Sequence, residues 1–375
     1  MADAVVRAMG RRVQGGIVVS PVEQTPPFPL QLIVGQHPQP GPGSEEAGRR
    51  ALAVAESIPH DADLVVLISG GASSLLAAPA DGISLDDKRR ATAVLLRAGA
   101  DIHALNTVRK HLSRIKGGRL AAGCRAASHT FVLSDVVGDD LSVVASGPTV
   151  ADPSTYAEAL EIVDAFGGRD AYPAGVVARL VAGTRGERSE SPKPGDPRLA
   201  RAQTSLIGGR HEAMRGAAVE AEARGYDVVV LEQPVVGEAR VSGPALARRI
   251  LELRAGLRRP ACVIASGETT VRVTGTGIGG RNQELALAAA EVIAGAGAPV
   301  WLASIGTDGV DGPTDAAGAI VDASTISRAL ASGLGPADRV LDDNNSYAYF
   351  DALGDLIRTG PSGTNVGDLQ VFLLA

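Results

Sequence analysis

Residues 64–71 read Leu64-Val65-Val66-Leu67-Ile68-Ser69-Gly70-Gly71, an apolar run that stops at a serine and two glycines. Consecutive Val, Leu and Ile residues of this length are typical of a strand buried on both faces of a sheet. The glycines let the chain turn sharply and leave backbone N–H groups exposed at the strand end. We therefore expect Ser69, Gly70, Gly71 and the nearby Ser73 to bind substrate or phosphate at the edge of a parallel sheet.

The same type of apolar run recurs along the chain, separated by segments of helical length. The further predicted strands are Gly16–Ser20, Thr130–Ser134, Val228–Leu231, Cys262–Ser266 and Val300–Ser304. This alternation predicts an α/β protein with mostly parallel sheets. A chain of 375 residues is longer than one hydrophobic core usually organises. Residues 183–197 contain three prolines and no apolar periodicity, so we predict a linker there, between domains at 1–192 and 198–375.

Composition narrows the classes of partner. Aromatic residues make up only 3% of the chain and the net charge is −6, which argues against a nucleic-acid-binding surface. No apolar run reaches membrane-spanning length, and Met1–Gly10 carries charges where a signal peptide would be apolar. The two cysteines, Cys124 and Cys262, lack metal-ligand spacing and suit a reducing compartment. We expect a cytoplasmic protein with no nucleic-acid or membrane partner.

Basic residues are concentrated between Arg109 and Arg119. Five of the chain's cations lie in these eleven residues, among them Lys110 and Lys116, two of its four lysines. The glycine pair that follows Lys116 favours an anion-binding site, to which Asn106 would contribute. A solvated basic helix face is the alternative interpretation. The helix predicted from Ser84 to Leu96, which contains Lys88, is interpreted as scaffold.

Aspartates follow two predicted strands. Asp135 and Asp139 come after the strand that ends at Ser134, and Asp308 follows the strand that ends at Ser304. Carboxylates at strand ends can bind Mg²⁺ or hold a substrate hydroxyl group. Helix caps and turns are the alternative role for such aspartates.

Residues 275–280 contain four glycines and formally match the GxGxxG pattern. A strand-like segment at 270–274 precedes them, and the sequence Arg281-Asn282-Gln283-Glu284 follows at the predicted helix start. A phosphate or carboxylate held by Gly279, Gly280, Asn282, the helix N-terminus and Arg281 is our interpretation. The alternatives are a dinucleotide fingerprint and a flexible loop with a surface arginine. No P-loop and no protein-kinase motif set is present.

Taken together, these motifs resemble those of the glycerate 2-kinase family over nearly the whole chain. The most specific stretches are Asn106–Ser113, Lys116–Arg119, Ser134–Asp139, Gly280–Glu284 and Gly306–Gly312. The resemblance implies a Rossmann-like α/β/α N-terminal domain, a smaller α/β domain of the MOFRL type, and an active site in the cleft between them. It also implies transfer of the ATP γ-phosphoryl group to the 2-hydroxyl of D-glycerate with Mg²⁺, by a monomer or homodimer.

Within this resemblance, Arg281, Lys110 and Lys116 are predicted catalytic or phosphate-contacting residues, with Arg109 beside them. Asp135, Asp139 and Asp308 are the predicted Mg²⁺ ligands. Family members usually begin with a strand that ends in a Gly-Lys-Ala turn, whereas no lysine precedes Lys88 here. We expect either an upstream start or an enzyme that works without that lysine. An NAD(P)H-dependent hydroxypyruvate reductase, a name attached to similar sequences, and a catalytically impaired binding protein remain alternatives.

Overall fold

A computed structural model describes residues 1–375, and the chain divides into two compact units. The first unit comprises Met1–Val132 and Asp139–Ile207, and the second comprises Leu133–Gly138 and Gly208–Ala375. The first unit therefore includes residues 183–197, in which the sequence predicts a linker. Within that segment Ser191 is buried and donates a hydrogen bond to Asp152, 2.8 Å away, so this part of the chain is held against its unit.

The first unit contains five strands and eight helices, together with short 3₁₀ turns. The strands are β1 (Ile17–Ser20), β2 (Gln31–Val34), β3 (Asp63–Ile68), β4 (Ala127–Leu133) and β5 (Ala202–Gly208). The helices are α1 (Ala2–Met9), α2 (Pro42–Ser57), α3 (Ala72–Leu75), α4 (Leu85–Arg97), α5 (Ile102–His111), α6 (Arg119–Ala122), α7 (Tyr156–Ala165) and α8 (Ala174–Thr184). The predicted strands at 16–20, 64–69 and 130–134 all coincide with strands of the structure.

Parallel pairing organises this unit. β1 pairs with β2, and β3 pairs with β4 so that Leu67 lies opposite Phe131. The second of these pairs belongs to a sheet with the order β3-β4-β5. Parallel strands direct their carboxyl ends to one edge, which is why the turn after β3 and the loop after β4 carry candidate site residues.

Side-chain caps fix where the helices near the candidate site begin. Ser84 accepts a hydrogen bond from the backbone N–H of Asp87 at the start of α4, and Asp101 accepts one from Ala104 at the start of α5. Such caps satisfy N–H groups that have no partner within the helix. Leu95 of α4 and Val108 of α5 are buried in one core cluster, which fixes the rotation of both helices about their axes.

The second unit contains seven strands and six helices. The strands are β6 (Asp227–Val230), β7 (Val235–Glu238), β8 (Ala261–Thr270), β9 (Val300–Gly306), β10 (Gly318–Asp322), β11 (Leu356–Ile357) and β12 (Asp368–Leu374). The helices are α9 (Arg210–Ala223), α10 (Ala239–Leu253), α11 (Arg281–Ala294), α12 (Thr325–Ala331), α13 (Ala337–Asp342) and α14 (Ser346–Leu353).

The sheet of the second unit is mixed, whereas the alternation of strands and helices predicts mostly parallel sheets. Its order is β11-β10-β9-β12-β8-β6, and β7 also pairs with β8. β6 and β7 run parallel to β8, but β12 lies antiparallel to both β8 and β9. The prediction of parallel pairing is wrong for this sheet, since β10 also lies antiparallel to β9 and β11, and antiparallel neighbours need no helical crossover between them. No helix in the structure is long and apolar enough to cross a membrane.

Helix α11 forms the centre of the second unit's core. Leu285, Leu287 and Ile293 are fully buried and pack with residues of α10 and of the sheet. The strand-like segment predicted at 270–274 is wrong beyond its first residue, because β8 ends at Thr270. Residues 271–280 then cross without regular structure to the start of α11.

Candidate functional site

Lys116 is the best-defined candidate in the first unit. Its side chain is buried, and its Nζ donates hydrogen bonds to Ser73 Oγ at 2.7 Å, to Ser73 O at 3.0 Å and to Ala145 O at 3.3 Å. Each of these partners is uncharged. Burial, followed by the nearby charges of Lys88 and Arg109, lowers the pKa of Lys116 well below its ordinary value.

The loop that accepts from Lys116 has an unusual backbone. Ala145, Ser146 and Gly147 all have positive φ angles, of 52°, 61° and 58°. Two consecutive non-glycine residues in this region are energetically costly, and such geometry concentrates at functional sites. Ser146 Oγ lies 3.2 Å from Ser73 Oγ and donates to Asn106 Oδ1 at 2.9 Å. The predicted residues Ser73, Asn106 and Lys116 therefore belong to one hydrogen-bonded group.

The predicted turn after β3 is present. Gly71 adopts a left-handed conformation with φ 77° and precedes the short helix α3, which carries Ser73. A Cβ atom at Gly71 would lie 3.1 Å from the His37 ring, so the turn also needs glycine for space. Ser69 and Gly70 lie directly before it, at the end of β3. The turn thus brings Ser73 to Lys116.

Lys110 occupies a different environment from Lys116. Both Lys110 and Asp152 are buried, and their side chains form an ion pair at 3.2 Å. Asp152 also accepts hydrogen bonds from the hydroxyl groups of Ser154 and Ser191. Lys110 is therefore paired within the protein, although the sequence predicts it to contact phosphate. The pairing could not be read from the sequence because the two residues are 42 positions apart.

Arg109 and Lys88 have no hydrogen-bond or ion-pair partner within the protein, and the buried Nε and Nη2 of Arg119 also lack hydrogen bonds. The half-buried guanidinium of Arg109 takes part in no hydrogen bond or ion pair. Lys88 is 7% exposed, and its Nζ is inaccessible to solvent with no hydrogen-bond partner. Sequence reasoning missed Lys88 because α4 has the spacing of an ordinary amphipathic helix. The scarcity of lysine in the chain was the one signal that could have singled it out.

Asp139 is the predicted metal ligand that lies in the first unit. It has a positive φ of 52°, and its Oδ1 is buried without a hydrogen-bond partner. A buried carboxylate oxygen left unpaired in this way fits an oxygen-seeking cation such as Mg²⁺. Asp135 and Asp308 lie in the second unit. Asp135 Oδ2 accepts from Asn365 at 3.2 Å, and Asp308 Oδ1 accepts from the backbone of Val310 at 3.1 Å. No three His, Cys, Asp or Glu side chains form a metal-binding group.

Arg281, at the first position of α11, is the central cation of the second unit. It makes a bidentate ion pair with the buried Asp368, at 2.7 and 2.9 Å, and donates to Glu268 at 2.8 Å. Burial raises the pKa of Asp368 and of Glu268, which the charge of Arg281 opposes. Three of the five guanidinium N–H donors are used, and two remain for a ligand.

The glycine-rich loop at 275–280 is partly engaged in contacts within the protein. The N–H groups of Gly275 and Thr276 donate to the side chains of Asn344 and Asp343, both at 2.9 Å, and that of Gly277 donates to Asp343 O at 2.8 Å. The N–H groups of Gly279 and Gly280, which are predicted to bind phosphate, make no hydrogen bond within the protein. Cβ atoms at Gly275, Gly277, Gly279 and Gly280 would overlap atoms of Asp343, Asn345, Ser346 and Asp311, respectively. The glycines therefore also serve the close packing of this loop against neighbouring residues.

The N-terminus of α11 is likewise occupied by a protein group. The carboxylate of Asp311 accepts from the backbone N–H groups of Asn282 at 3.0 Å and Gln283 at 2.9 Å. Asn282, predicted to contact phosphate, is buried, and its side-chain oxygen accepts from Ser304. Burial raises the pKa of Asp311 to about 6 despite these hydrogen bonds. The predicted anion at this helix N-terminus is a bound phosphate or carboxylate ligand, whereas the structure has the side chain of Asp311 in that position.

Comparison with known proteins covers the whole chain. Residues 1–181 match the domain of unknown function DUF4147, and residues 261–368 match the MOFRL family. The chain is 38% identical to the D-glycerate 2-kinase of Thermotoga maritima, with all of this chain and 88% of the relative aligned. It is 39% identical to a putative hydroxypyruvate reductase of Agrobacterium vitis, over all of this chain and 84% of the relative.

A solved structure agrees with these sequence matches. The crystal structure of the glycerate kinase from Thermotoga maritima superposes with a TM-score of 0.89 at 38% identity, covering all of this chain and 88% of that chain. The match covers the residues of both compact units.

Proposed function

Because this chain belongs to the glycerate 2-kinase family, we propose that it transfers the γ-phosphoryl group of ATP to the 2-hydroxyl of D-glycerate. The observation that carries the proposal is the 38% identity to a D-glycerate 2-kinase along the entire chain. The predicted family is confirmed, since both of its domains are matched in order. Glycerate and ATP are accordingly its small-molecule substrates.

The geometry of the first unit supports phosphoryl transfer. This reaction requires positioning and neutralisation of phosphate charge more than covalent chemistry by the protein. Lys116 is fixed by Ser73 and the strained loop at 145–147, so its ammonium group is held in place before a ligand binds. We assign Lys116 to contact a phosphate group, with Asn106 and Ser73 holding it in position.

In the second unit Arg281 supports the same chemistry. Asp368 and Glu268 fix its guanidinium, and the two unused N–H donors are available for a carboxylate or phosphoryl oxygen. We propose that these donors stabilise charge on the substrate.

Lys110 could contact phosphate only if its ion pair with Asp152 opened. We therefore propose that Lys110 supports the site through this ion pair and does not contact the ligand.

Magnesium is proposed as the cation that accompanies ATP. Mg²⁺ usually keeps several waters and binds one or two carboxylates together with phosphate oxygens, so a cage of three protein ligands is not required. Asp139, whose Oδ1 is buried and unpaired, is suited to be one of these carboxylate ligands. Asp135 and Asp308 stay predictions as ligands. Mg²⁺ would supply neutralisation of phosphate charge, and chelation by EDTA should abolish turnover.

The test is an assay of the 375-residue chain with ATP, Mg²⁺ and D-glycerate. Conversion of the product by enolase identifies 2-phosphoglycerate directly, because 3-phosphoglycerate reacts only after phosphoglycerate mutase is added. Arg281→Lys keeps the charge but loses the forked contacts, and we expect turnover to fall about a hundredfold. Arg358→Lys, on an exposed arginine of the same unit, is the control. Product that requires the mutase, or unchanged turnover in Arg281→Lys, contradicts the assignment.

A reductase is the competing activity, since one relative carries that name. The loop at 275–280 does not favour it, because the N–H groups of Gly275, Thr276 and Gly277 are bound to residues 343 and 344 instead of being open to a pyrophosphate. The same preparation should therefore leave the absorbance of NADH and NADPH unchanged with hydroxypyruvate.

We also propose a cytoplasmic location, because both cysteines are buried and unpaired. We propose that the active form is a monomer or a homodimer.

A further inference from the structure

We propose that Lys88, Arg109 and Lys116 form one anion-binding site in the first unit, which holds phosphate groups of the nucleotide. The site rests on the proposed function in that its phosphate source is the nucleotide. Lys88 is the new member of the group: it lies on α4, outside the loops that carry the motifs of the family resemblance. Three separate segments of chain supply the three cations.

Lys88 is isolated from every hydrogen-bond acceptor of the protein. Its ammonium nitrogen is buried and makes no hydrogen bond. Burying a charge without a partner is among the costliest arrangements in a protein. A ligand that supplies the missing acceptor explains why a lysine stands at this position.

The charges of these cations lower the pKa values of the two lysines among them. Burial is the main reason that the pKa of Lys88 is lowered to about 7, and the charge of Arg109 lowers it further. The charges of Lys88 and Arg109 act in the same direction on Lys116. Like charges affect each other this way only when they are close together. Glu45, exposed in the first turn of α2, is the one carboxylate that opposes them at Lys88.

The net charge of this group of residues indicates the chemistry of the ligand. When both lysines are protonated, the three cations and Glu45 leave an excess of positive charge that a single carboxylate group, such as that of glycerate, would not neutralise. A phosphate chain carries more charge and presents several oxygens to a guanidinium and two ammonium groups. Arg109 is half-buried whereas Lys88 is inaccessible, so a ligand would meet Arg109 first and Lys88 at the bottom of the site.

Binding of an anion should also change the protonation state of Lys88. With a pKa of about 7, Lys88 is mostly neutral in the free protein at mildly alkaline pH. An anion beside it favours the charged form, so binding under these conditions takes up a proton from the solution. Below neutral pH Lys88 is already charged and this uptake disappears. Arg109 and Glu45 are the charged groups that act on the pKa of Lys88, and the substitution Lys88→Met alters neither of them.

The experiment is isothermal titration of the whole chain with the non-hydrolysable ATP analogue AMP-PNP in the presence of Mg²⁺, and separately with D-glycerate. Titration at mildly alkaline pH in two buffers of different ionisation enthalpy counts the protons bound. We compare the wild type with Lys88→Met and with Arg90→Met, which removes an exposed cation from the same helix. Arg109→Met provides a second variant in the site.

We expect Lys88→Met to weaken AMP-PNP binding about tenfold or more and to reduce the proton uptake, because its charged contact is lost. Affinity for D-glycerate should stay within about twofold, and Arg90→Met should resemble the wild type. Unchanged AMP-PNP affinity in Lys88→Met, absence of AMP-PNP binding to the wild type, or an equal or larger loss for D-glycerate would each overturn the proposal.

The outcome separates this inference from the proposed function. If AMP-PNP binding depends on Lys88 but the wild type does not phosphorylate D-glycerate, the anion site stands and the activity is refuted. If the wild type is an active kinase and Lys88→Met binds AMP-PNP normally, the activity stands and the anion site is refuted. Arg109→Met repeats the comparison with a half-buried residue should Lys88→Met fail to fold.

Discussion

An ammonium group buried without a partner makes the stability of the fold depend on pH. Lys88 has a pKa of about 7 in the folded protein and an ordinary value of 10.5. Between these values the unfolded chain holds a proton that the folded chain lacks, so the free energy of unfolding rises with pH. The burial penalty is greatest below about pH 7 and is relieved as the pH rises through the folded pKa.

Substitution of Lys88 by methionine should remove this dependence. The free energy of unfolding of the wild type, minus that of Lys88→Met, should rise by up to about 1.4 kcal/mol per pH unit between about pH 7 and pH 10. Urea unfolding of both chains at several pH values measures the difference. Arg90→Met serves as the control for charge removal. A difference that stays flat over this range would mean that Lys88 is charged in the folded protein throughout.

Glu190 contributes stability at neutral pH that is lost in acid. Burial alone would raise the pKa of Glu190, but hydrogen bonds from His111 and the backbone of Tyr156, with the charge of Lys193, lower it to about 2. The stabilisation is complete above the ordinary value of 4.5 and is lost as the pH falls toward 2. The advantage of the wild type over Glu190→Gln should therefore shrink in this interval, as followed by circular dichroism. Glu187→Gln, on the exposed glutamate nearby, controls for the loss of negative charge.

At the scale of elements, the loop at 275–280 is defined by contact with residues 343–346. Gly277→Ala should destabilise the protein by about 1–3 kcal/mol, because its Cβ would overlap Asn345 and Asp343. Gly216→Ala should stabilise it by up to about 1 kcal/mol, because Gly216 lies in the exposed part of α9 with open space around it. Thermal unfolding of both variants measures these effects. A neutral Gly277→Ala would show that the loop can move away from residues 343–346.

Local pattern predicted the elements better than it predicted their partners. The apolar runs at 64–69 and 300–304 are strands because buried β-branched and leucine-rich segments favour that state in almost any context. The direction of β12 was not predictable from its own sequence, since pairing with β8 and β9 depends on residues about 60 to 110 positions away. Residues 183–197 have the composition of a linker, yet Ser191 is fixed by a buried aspartate.

The candidate site shows the same division between local and distant information. The cations near Gly117 and the arginine at the start of α11 were predicted from charge and glycine content. Their environments were not: the partners of Lys110 and Arg281 are Asp152 and Asp368, each far along the chain. Lys88 was assigned to scaffold because burial of one lysine on an amphipathic helix depends on what packs above it.

For the whole molecule, a bound nucleotide should protect the segments that the anion site joins. AMP-PNP bound only to the native state slows the opening of the structure that holds it. Hydrogen exchange should become slower in α4, in α5 and in the loop that follows α5. Mass spectrometry of the wild type and of Lys88→Met at one AMP-PNP concentration tests this. Slowing that is equal in both chains would place the nucleotide elsewhere.

The path of the chain also limits how this protein can be rearranged by evolution or by engineering. Residues 133–138 leave the first unit, join the second, and return, so the backbone passes between the units three times. Within the second unit, Ser134 donates to Gly208, and Asp135 accepts from Asn365. The C-terminal half therefore cannot be exchanged as an independent domain. A recombinant that replaces residues 208–375 alone would keep the original residues 133–138, which pack within the second unit, against a foreign sequence.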